Sequence, residues 1–332
     1  MNRLRMGVLG CSSHYFKRVA VPLRESTIVE AYAIASRDAA KAAAKASAWG
    51  FPVSYGSYEA LLADPKVDFI YNPLPNHLHL EWIKKAADAG KPMLCEKPLG
   101  LDADEASEAV TYCQTKGVPL MEAFMYRFHP QWRRARELVE AGELGTVMTT
   151  HGMFAYNNKD PKNIRNIAAF GGGALLDIGC YAVSSARFLM GGEPERVICS
   201  MLRDEAFKTD ILVSGILDFG GGRRSTFTVG TQLFPMQKVD AYGTGGSLTV
   251  EIPFNMHADV PGRVQVATDV SRRVVETGPS DQYLLMFDAF ARAVAEKHAV
   301  PTAVSDAVAN MAVLDALAAS AGSGTWEGVK RW

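Results

Sequence analysis

The chain has 332 residues, beyond the roughly 250–300 at which one hydrophobic core usually stops growing, so two domains are expected. Apolar residues make up 48% and charged residues 21%, and the formal net charge is −1, which leaves no electrostatic footprint for nucleic acid or an anionic membrane. No run approaches the roughly 18 apolar residues of a membrane span, and "MNRLRMGVLG" is too short before its first turn for a signal peptide, so a cytoplasmic protein is expected.

Met6 to Phe16, "MGVLGCSSHYF", reads as a strand, a glycine turn and a helix start. From Leu4 to about Glu122, β-rich runs alternate with helical stretches. The strands are "LRMGVLG", Ile28 to Ser36, Val67 to Pro73, Pro92 to Glu96 and Val118 to Ala123; the helices are Asp38 to Trp49, His77 to Ala89, and Asp102 to Lys116 with Asp102 as N-cap. This alternation implies a doubly wound parallel sheet. After about Ala123 come helices over Arg127 to Gly142 and Gly173 to Leu189, then alternating strands "DILVSGILDF" and "RRSTFTVGTQLF" joined by Gly220, Gly221 and Gly222. Strands "KVDAYG" and "SLTVEI" flank Thr244, Gly245 and Gly246, and helices over Gln282 to Lys297 and Ser305 to Ser320 close the chain. Glycine-linked alternating runs are hairpin signals, so the second half should hold a mainly antiparallel sheet with one face covered. The expected division is a doubly wound domain over residues 1–123 and a second α/β domain over 124–332.

The first turn lacks the G-x-G-x-x-G spacing: after Gly10, Ser12 and Tyr15 stand where the second and third glycines belong. Gly10 still permits a tight bend, and Ser12 and Ser13 are hydroxyl donors for a phosphate at a helix N-terminus. At the tip of the second strand an acid would hold the 2′-hydroxyl of NAD, but "ASRDAAK" offers Ser36 and Arg37 there and Lys41 one helical turn on. That set favours the 2′-phosphate of NADP(H) over NAD(H), with Asp38 either a helix cap or a ribose ligand.

"YNPLPNHLH" ends the third strand at Pro73 and Pro75, with Leu74, Asn76 and His79 at the crevice mouth; "CEKPLG" places Glu96 and Lys97 directly after a buried strand. A lysine at that position is costly to desolvate unless it serves a function. In "FGGGALLDIGCY" a triple glycine precedes a helix carrying Asp177 and Tyr181, whose spacing of four puts both on one face. Three glycines also let another backbone or a ligand approach. The five cysteines, Cys11, Cys95, Cys113, Cys180 and Cys199, form no C-x-x-C pair and read as free thiols, so no metal site is expected.

Taken together, "CEKPLG", "NPLPNHLH", "MEAFMYRFHP" and "GGGALLDIGCY", in order along nearly the whole chain, resemble the Gfo/Idh/MocA oxidoreductases. The resemblance implies a nicotinamide-binding Rossmann domain followed by an α/β domain whose open sheet supports homodimers or homotetramers. Lys97, Asp177 and Tyr181 would surround the substrate hydroxyl, and the Lys97–Pro98 bond would be cis. Tyr181, where inositol dehydrogenases usually have histidine, leans toward the glucose-fructose oxidoreductase, dihydrodiol dehydrogenase and NADP-dependent xylose dehydrogenase branch. The coenzyme would lie along Gly10, Ser12, Ser13, Ser36, Arg37, Lys41, Pro73, Leu74, Asn76, His79, Glu96 and Lys97, with Arg127, Asn163 and Arg165 for substrate. The expected reaction is hydride transfer at a secondary alcohol or hemiacetal carbon of a sugar, polyol or cyclic diol, with Tyr181 moving the proton beside the Lys97 ammonium. Two alternatives are an NAD-dependent glycoside hydrolase that oxidises its sugar transiently and a nucleotide-sensing protein without turnover.

Overall fold

The computed structural model describes residues 3–332. The chain packs as two compact units: the residues up to Met125 with Tyr283–Val308, and Tyr126–Gln282 with Ala309–Trp332. The first unit thus takes in Tyr283–Val308, which the sequence reading assigns to the C-terminal half. The reason is aromatic packing: helix α7, numbered in chain order over Gln282–Glu296, sets Phe287 against Tyr71 at 4.9 Å and Phe290 against Phe69 at 5.6 Å.

The first unit alternates β1 (Leu4–Leu9), β2 (Val29–Ala35), α1 (Ala39–Trp49), β3 (Val53–Tyr55), α2 (Tyr58–Leu62), β4 (Phe69–Asn72), α3 (His79–Asp88), β5 (Met93–Cys95), α4 (Ala103–Lys116) and β6 (Leu120–Glu122). All five strand pairings are parallel, and the order is β3-β2-β1-β4-β5-β6. β4 is buried along its whole length, with Phe69, Ile70 and Tyr71 giving the apolar run that a strand covered on both faces requires. Asp102 caps α4 by accepting from Glu105 N at 2.8 Å, as the sequence predicts. The strand order reverses between β1 and β4, and the crevice beyond their carboxyl ends is where such sheets bind ligands.

The second unit holds α5 (Pro130–Glu140), β7 (Val147–Asn157), α6 (Cys180–Met190), β8 (Arg196–Arg203), β9 (Asp210–Asp218), β10 (Arg224–Gly230), β11 (Gln232–Gly243), β12 (Gly246–Val250), β13 (Gly262–Thr268), β14 (Arg272–Thr277), most of α8 (Ser305–Ser323) and β15 (Glu327–Gly328). Its nine strands run β14-β13-β12-β11-β7-β10-β9-β8-β15, antiparallel except for β10 beside β7. Gly220, Gly221 and Gly222 all have positive φ and close the β9–β10 hairpin. "RRSTFTVGTQLF", expected as one strand, breaks at Thr231. β10 and β11 then flank β7 on opposite sides, so the chain must turn there to admit the central strand. α5 starts at Pro130 and not Arg127, because proline suits the first helical position and the His129 ring accepts from Gln131 N at 3.2 Å. The stretch expected as one helix from Gly173 opens as a π-turn over Leu175–Gly179 before α6. All five cysteines are free thiols. Among the described residues no helix is long and apolar enough to cross a membrane, and no cluster of three His, Cys, Asp or Glu could hold a metal ion.

Candidate active site

In the first unit, Gly10 ends β1 with φ +86°, and its amide donates to Ala35 O at 2.9 Å. A Cβ at Gly10 would lie 2.9 Å from Leu74 Cδ2, so both the conformation and the packing require glycine. Ser12 Oγ accepts from His14 N at 3.2 Å, which shapes the turn while the hydroxyl keeps its own hydrogen as a donor. Ser13 is exposed. Tyr15, in the third glycine's place, is 1% exposed and packs its ring on Phe16, Phe51 and Tyr71 while a π-turn begins over Tyr15–Val19. The space a glycine would leave for helix against strand is filled by an aromatic ring.

At the tip of β2, Asp38 caps α1 by accepting from Lys41 N at 3.0 Å, the first of its two readings. Ser36 Oγ accepts from Asp38 N at 3.2 Å. Arg37 is exposed, and its charge eases the hold on the Tyr58 hydroxyl proton, which burial tightens. Its charge also reaches His77, whose proton affinity is lowered by burial first and by Arg37 second. Burial pushes the Cys11 thiol up, against the Lys41 charge. Gly10, Ser36, Arg37 and Lys41 therefore share one edge, joined by Cys11, Tyr58 and His77, which composition and spacing did not single out. A bare backbone at Gly10 and a hydroxyl with two cations at the β2 tip fit a nicotinamide dinucleotide.

Beyond β4, Asn72 Oδ1 accepts from Leu74 N at 3.2 Å; Pro73 and Leu74 are buried and Asn76 is half-buried at the start of a short 3₁₀ turn. His79, expected at the crevice mouth as a coenzyme contact, is instead fully buried with its ring nitrogens 2.9 Å from Pro98 O and 2.8 Å from Leu74 O. Both polar atoms are committed to the protein. Glu96 likewise faces inward: it accepts from Tyr71 Oη at 2.7 Å and lies 3.4 Å from His14 Nε2. Burial raises its carboxyl, but His14, Tyr71 and Lys97 outweigh burial and hold it below the usual range. Lys97 is half-buried, its bond to Pro98 is cis as the resemblance implies, and Leu99 N donates to Glu122 Oε1 at 2.9 Å.

In the second unit the triple glycine admits backbone: a Cβ at Gly172 would meet Arg165 O at 2.5 Å. Gly173, at φ +121°, lies against the Asp210 carboxylate, which a Cβ would strike. Asp210 Oδ2 in turn accepts from Leu175 N at 2.6 Å, so Asp210 occupies the electropositive helix start that the sequence reading gives to Asp177. Burial raises the Asp210 carboxyl, opposed by that backbone bond. Asp177 follows within the π-turn, and its Oδ2 accepts from Tyr156 Oη at 2.6 Å and Arg165 Nε at 2.9 Å. Asp177 strengthens the proton's hold on Arg165, while burial and then Asp177 push the Tyr156 phenol up. Tyr181, 6% exposed, sits among Phe254 at 5.1 Å, Phe154 at 5.7 Å and Tyr126 at 6.0 Å, ring contacts worth about 0.5–1.5 kcal/mol each beyond burial.

Two models of the same oxidoreductase family match the chain: "Oxidoreductase family, NAD-binding Rossmann fold" over residues 4–124, and "GFO/IDH/MocA C-terminal domain" over 132–249. The chain belongs to the GFO/IDH/MocA oxidoreductases. It is 41% identical to D-xylose 1-dehydrogenase (NADP(+)) 2 of Haloferax volcanii, over 97% of this chain and 98% of that protein. An uncharacterized oxidoreductase of Rhizobium meliloti is 39% identical, over 99% and 100%. Among solved structures, a 3-ketoreductase from Actinomadura kijaniata in complex with NADP and TDP-benzene superposes with a TM-score of 0.90 at 29% identity, covering 96% of this chain and 98% of that one.

Within this GFO/IDH/MocA chain the three residues expected to touch substrate have structural partners. Arg127 donates to Ser184 Oγ at 2.7 Å and Tyr126 Oη at 3.3 Å and lies over the Phe188 ring, so part of its donor set braces α6. Asn163 Oδ1 accepts from Arg165 N at 3.1 Å and shapes its own turn. Arg165 is the ion partner of Asp177. Tyr156 and Asp210 escaped the sequence reading. Tyr156 lies near the end of β7, and its approach to Asp177 depends on β7 lying beside the π-turn. Asp210 opens a strand, with no local signal of the glycine it meets.

Proposed function

We propose that this chain is an NADP(H)-dependent oxidoreductase that moves a hydride to or from a secondary alcohol or hemiacetal carbon of a sugar, polyol or cyclic diol. The observation that carries this reading is the 41% identity, along nearly the whole chain, with an NADP-dependent xylose dehydrogenase. The β2 tip supports the NADP preference, since Ser36 and Arg37 stand where an acid would serve NAD. Residues 1–123 carry the coenzyme and 124–332 the substrate. Copies associate through the C-terminal sheet, on which Phe234, Met236 and Tyr242 stand exposed.

The coenzyme, when bound, supplies or takes the hydride. Gly10, Ser12 and Ser13 hold its phosphates, and Ser36, Arg37 and Lys41 its 2′-phosphate. Tyr181 gives or takes the substrate hydroxyl proton, and its aromatic surround fixes the ring. Lys97 brings positive charge to the same oxygen. Asp177, steadied by Arg165 and Tyr156, orients the substrate. The assignment of Lys97 and Tyr181 draws support from the same Actinomadura 3-ketoreductase: its solved forms include one altered at a lysine and one at a tyrosine, and the interval between those positions equals that between Lys97 and Tyr181 here.

The test is an aldose and polyol panel with NADP+ and NAD+, read at about 340 nm where the reduced coenzyme absorbs. Net NADP+ reduction is expected. Lys97→Met and Tyr181→Phe should each lower turnover by orders of magnitude with NADPH affinity nearly unchanged. Glycoside cleavage without net reduction, or coenzyme binding with no turnover on any substrate, refutes the assignment in favour of the hydrolase or the sensor respectively.

A further inference from the structure

His79 is the point where two loops of the first unit meet. It opens α3, is fully buried, and reaches the Pro98 carbonyl at 2.9 Å with Nδ1 and the Leu74 carbonyl at 2.8 Å with Nε2. Pro98 is covalently joined to Lys97; Leu74 is the side chain against which Gly10 packs. Burial lowers the ring's affinity for a second proton, and Lys97 lowers it further, against the two carbonyls and Glu96. Both carbonyls are acceptors, so the neutral ring donates to only one of them and the doubly protonated ring to both.

Side chains of the neighbouring strands also hold Glu96, just before Lys97, and Leu99, two residues after it. Glu96 is bonded by Tyr71 of β4, and Leu99 by Glu122 of β6. With His79 from α3 on the Pro98 carbonyl, two side chains hold the backbone just after the lysine and Tyr71 holds the carboxylate just before it, while that lysine's own side chain is half-buried. A strand end needs no such mount for stability alone, since β5 already pairs with β4 and β6. A reacting ammonium does need one, because a misplacement of about 1 Å costs on the order of a hundredfold in rate.

We infer that His79 is a positioning residue for Lys97, acting through the Pro98 carbonyl; this rests on the reading of Lys97 as a catalytic residue given above. The test compares three full-length variants. His79→Leu removes both contacts, His79→Asn keeps an amide donor near the Nδ1 position and so the Pro98 tether, and His79→Gln keeps one near Nε2 and so the Leu74 tether. His79→Leu should lower kcat about tenfold or more, with KM and NADPH affinity changed less than about threefold; His79→Asn should recover kcat to within about threefold, and His79→Gln should not. Equal losses in Leu and Asn variants, recovery by Gln and not Asn, or no loss in any of them overturns the inference. Should His79→Leu fail to fold, the Asn against Gln comparison decides by itself.

Competitive acetylation of Lys97 across a pH series, read by peptide mass spectrometry, needs no substrate. Its midpoint should move in His79→Leu and return in His79→Asn. An unchanged midpoint across the variants overturns the inference even where the panel detects no hydride transfer, so failure of the mount and failure of the functional assignment are read separately.

Discussion

Replacing Arg165 by methionine tests whether Asp177 is held for a catalytic purpose. Asp177 Oδ2 takes two bonds, from Arg165 Nε at 2.9 Å and Tyr156 Oη at 2.6 Å. A hydrogen bond to a charged group contributes about 1.5–3 kcal/mol net. The Arg165 side chain is 36% exposed and that of Asp177 12%, so solvent screening takes part of this away. About 1–2 kcal/mol remains, which corresponds to roughly a five- to thirtyfold fall in kcat/KM. Initial rates on the best substrate of the panel give the value, with NADPH affinity as the control that the first unit is intact. Tyr156→Phe should fall by a similar factor. Because the two donors share one oxygen, the double variant should depart from the product of the single effects. An Arg165→Met enzyme within twofold of wild type, alongside an Asp177→Asn enzyme that is strongly impaired, refutes the claim that Arg165 orients Asp177.

Three further outcomes are expected. Arg37→Ala should weaken NADP+ binding roughly ten- to a hundredfold and NAD+ binding by less than about threefold, as measured by fluorescence titration, since only the 2′-phosphate needs the guanidinium; equal losses for both coenzymes exclude that role. Gly173→Ala forces φ near +121° on a residue with a Cβ and drives that Cβ into the Asp210 carboxylate, so unfolding should be easier by about 2–4 kcal/mol in a calorimetric or circular-dichroism melt. An unchanged melting temperature contradicts the cap geometry. Glu96 has a folded-state proton affinity below its unfolded one, so it adds stability above the unfolded carboxyl value of about 4.3, and this is lost as pH falls through the lower folded value. Glu96→Gln should therefore be less stable than wild type in urea at about pH 7, with the gap narrowing toward about pH 3; a gap independent of pH argues that the carboxylate is not ionised in the fold.

The parallel half of the fold was open to reading because its signals are local. Most strands and crossover helices of the first 122 residues announce themselves within about a dozen positions, and Asp102 and Gly10 are where caps and tight turns need them, but β3 (Val53–Tyr55) and α2 (Tyr58–Leu62) are too short for a periodic pattern and escaped the reading. The antiparallel half was harder. β7 carries His151 and Thr149 among its apolar residues, so its pattern does not mark it as the central strand, and that place comes from the strands that close around it.

Residue type and spacing along the chain thus suffice for the family, for the order of the motifs and for Lys97, Asp177 and Tyr181 as the residues to watch. They do not suffice for His79 and Glu96, which look like crevice residues in a linear reading but turn inward to hold the turn around Lys97. Nor do they reveal the Asp177–Arg165–Tyr156 cluster, or Asp210 under the glycines. Those partners lie from 12 to 35 positions apart along the chain. Only the packing of strands and turns brings such side chains within hydrogen-bond reach, where burial leaves each polar group no alternative to the partner the fold supplies.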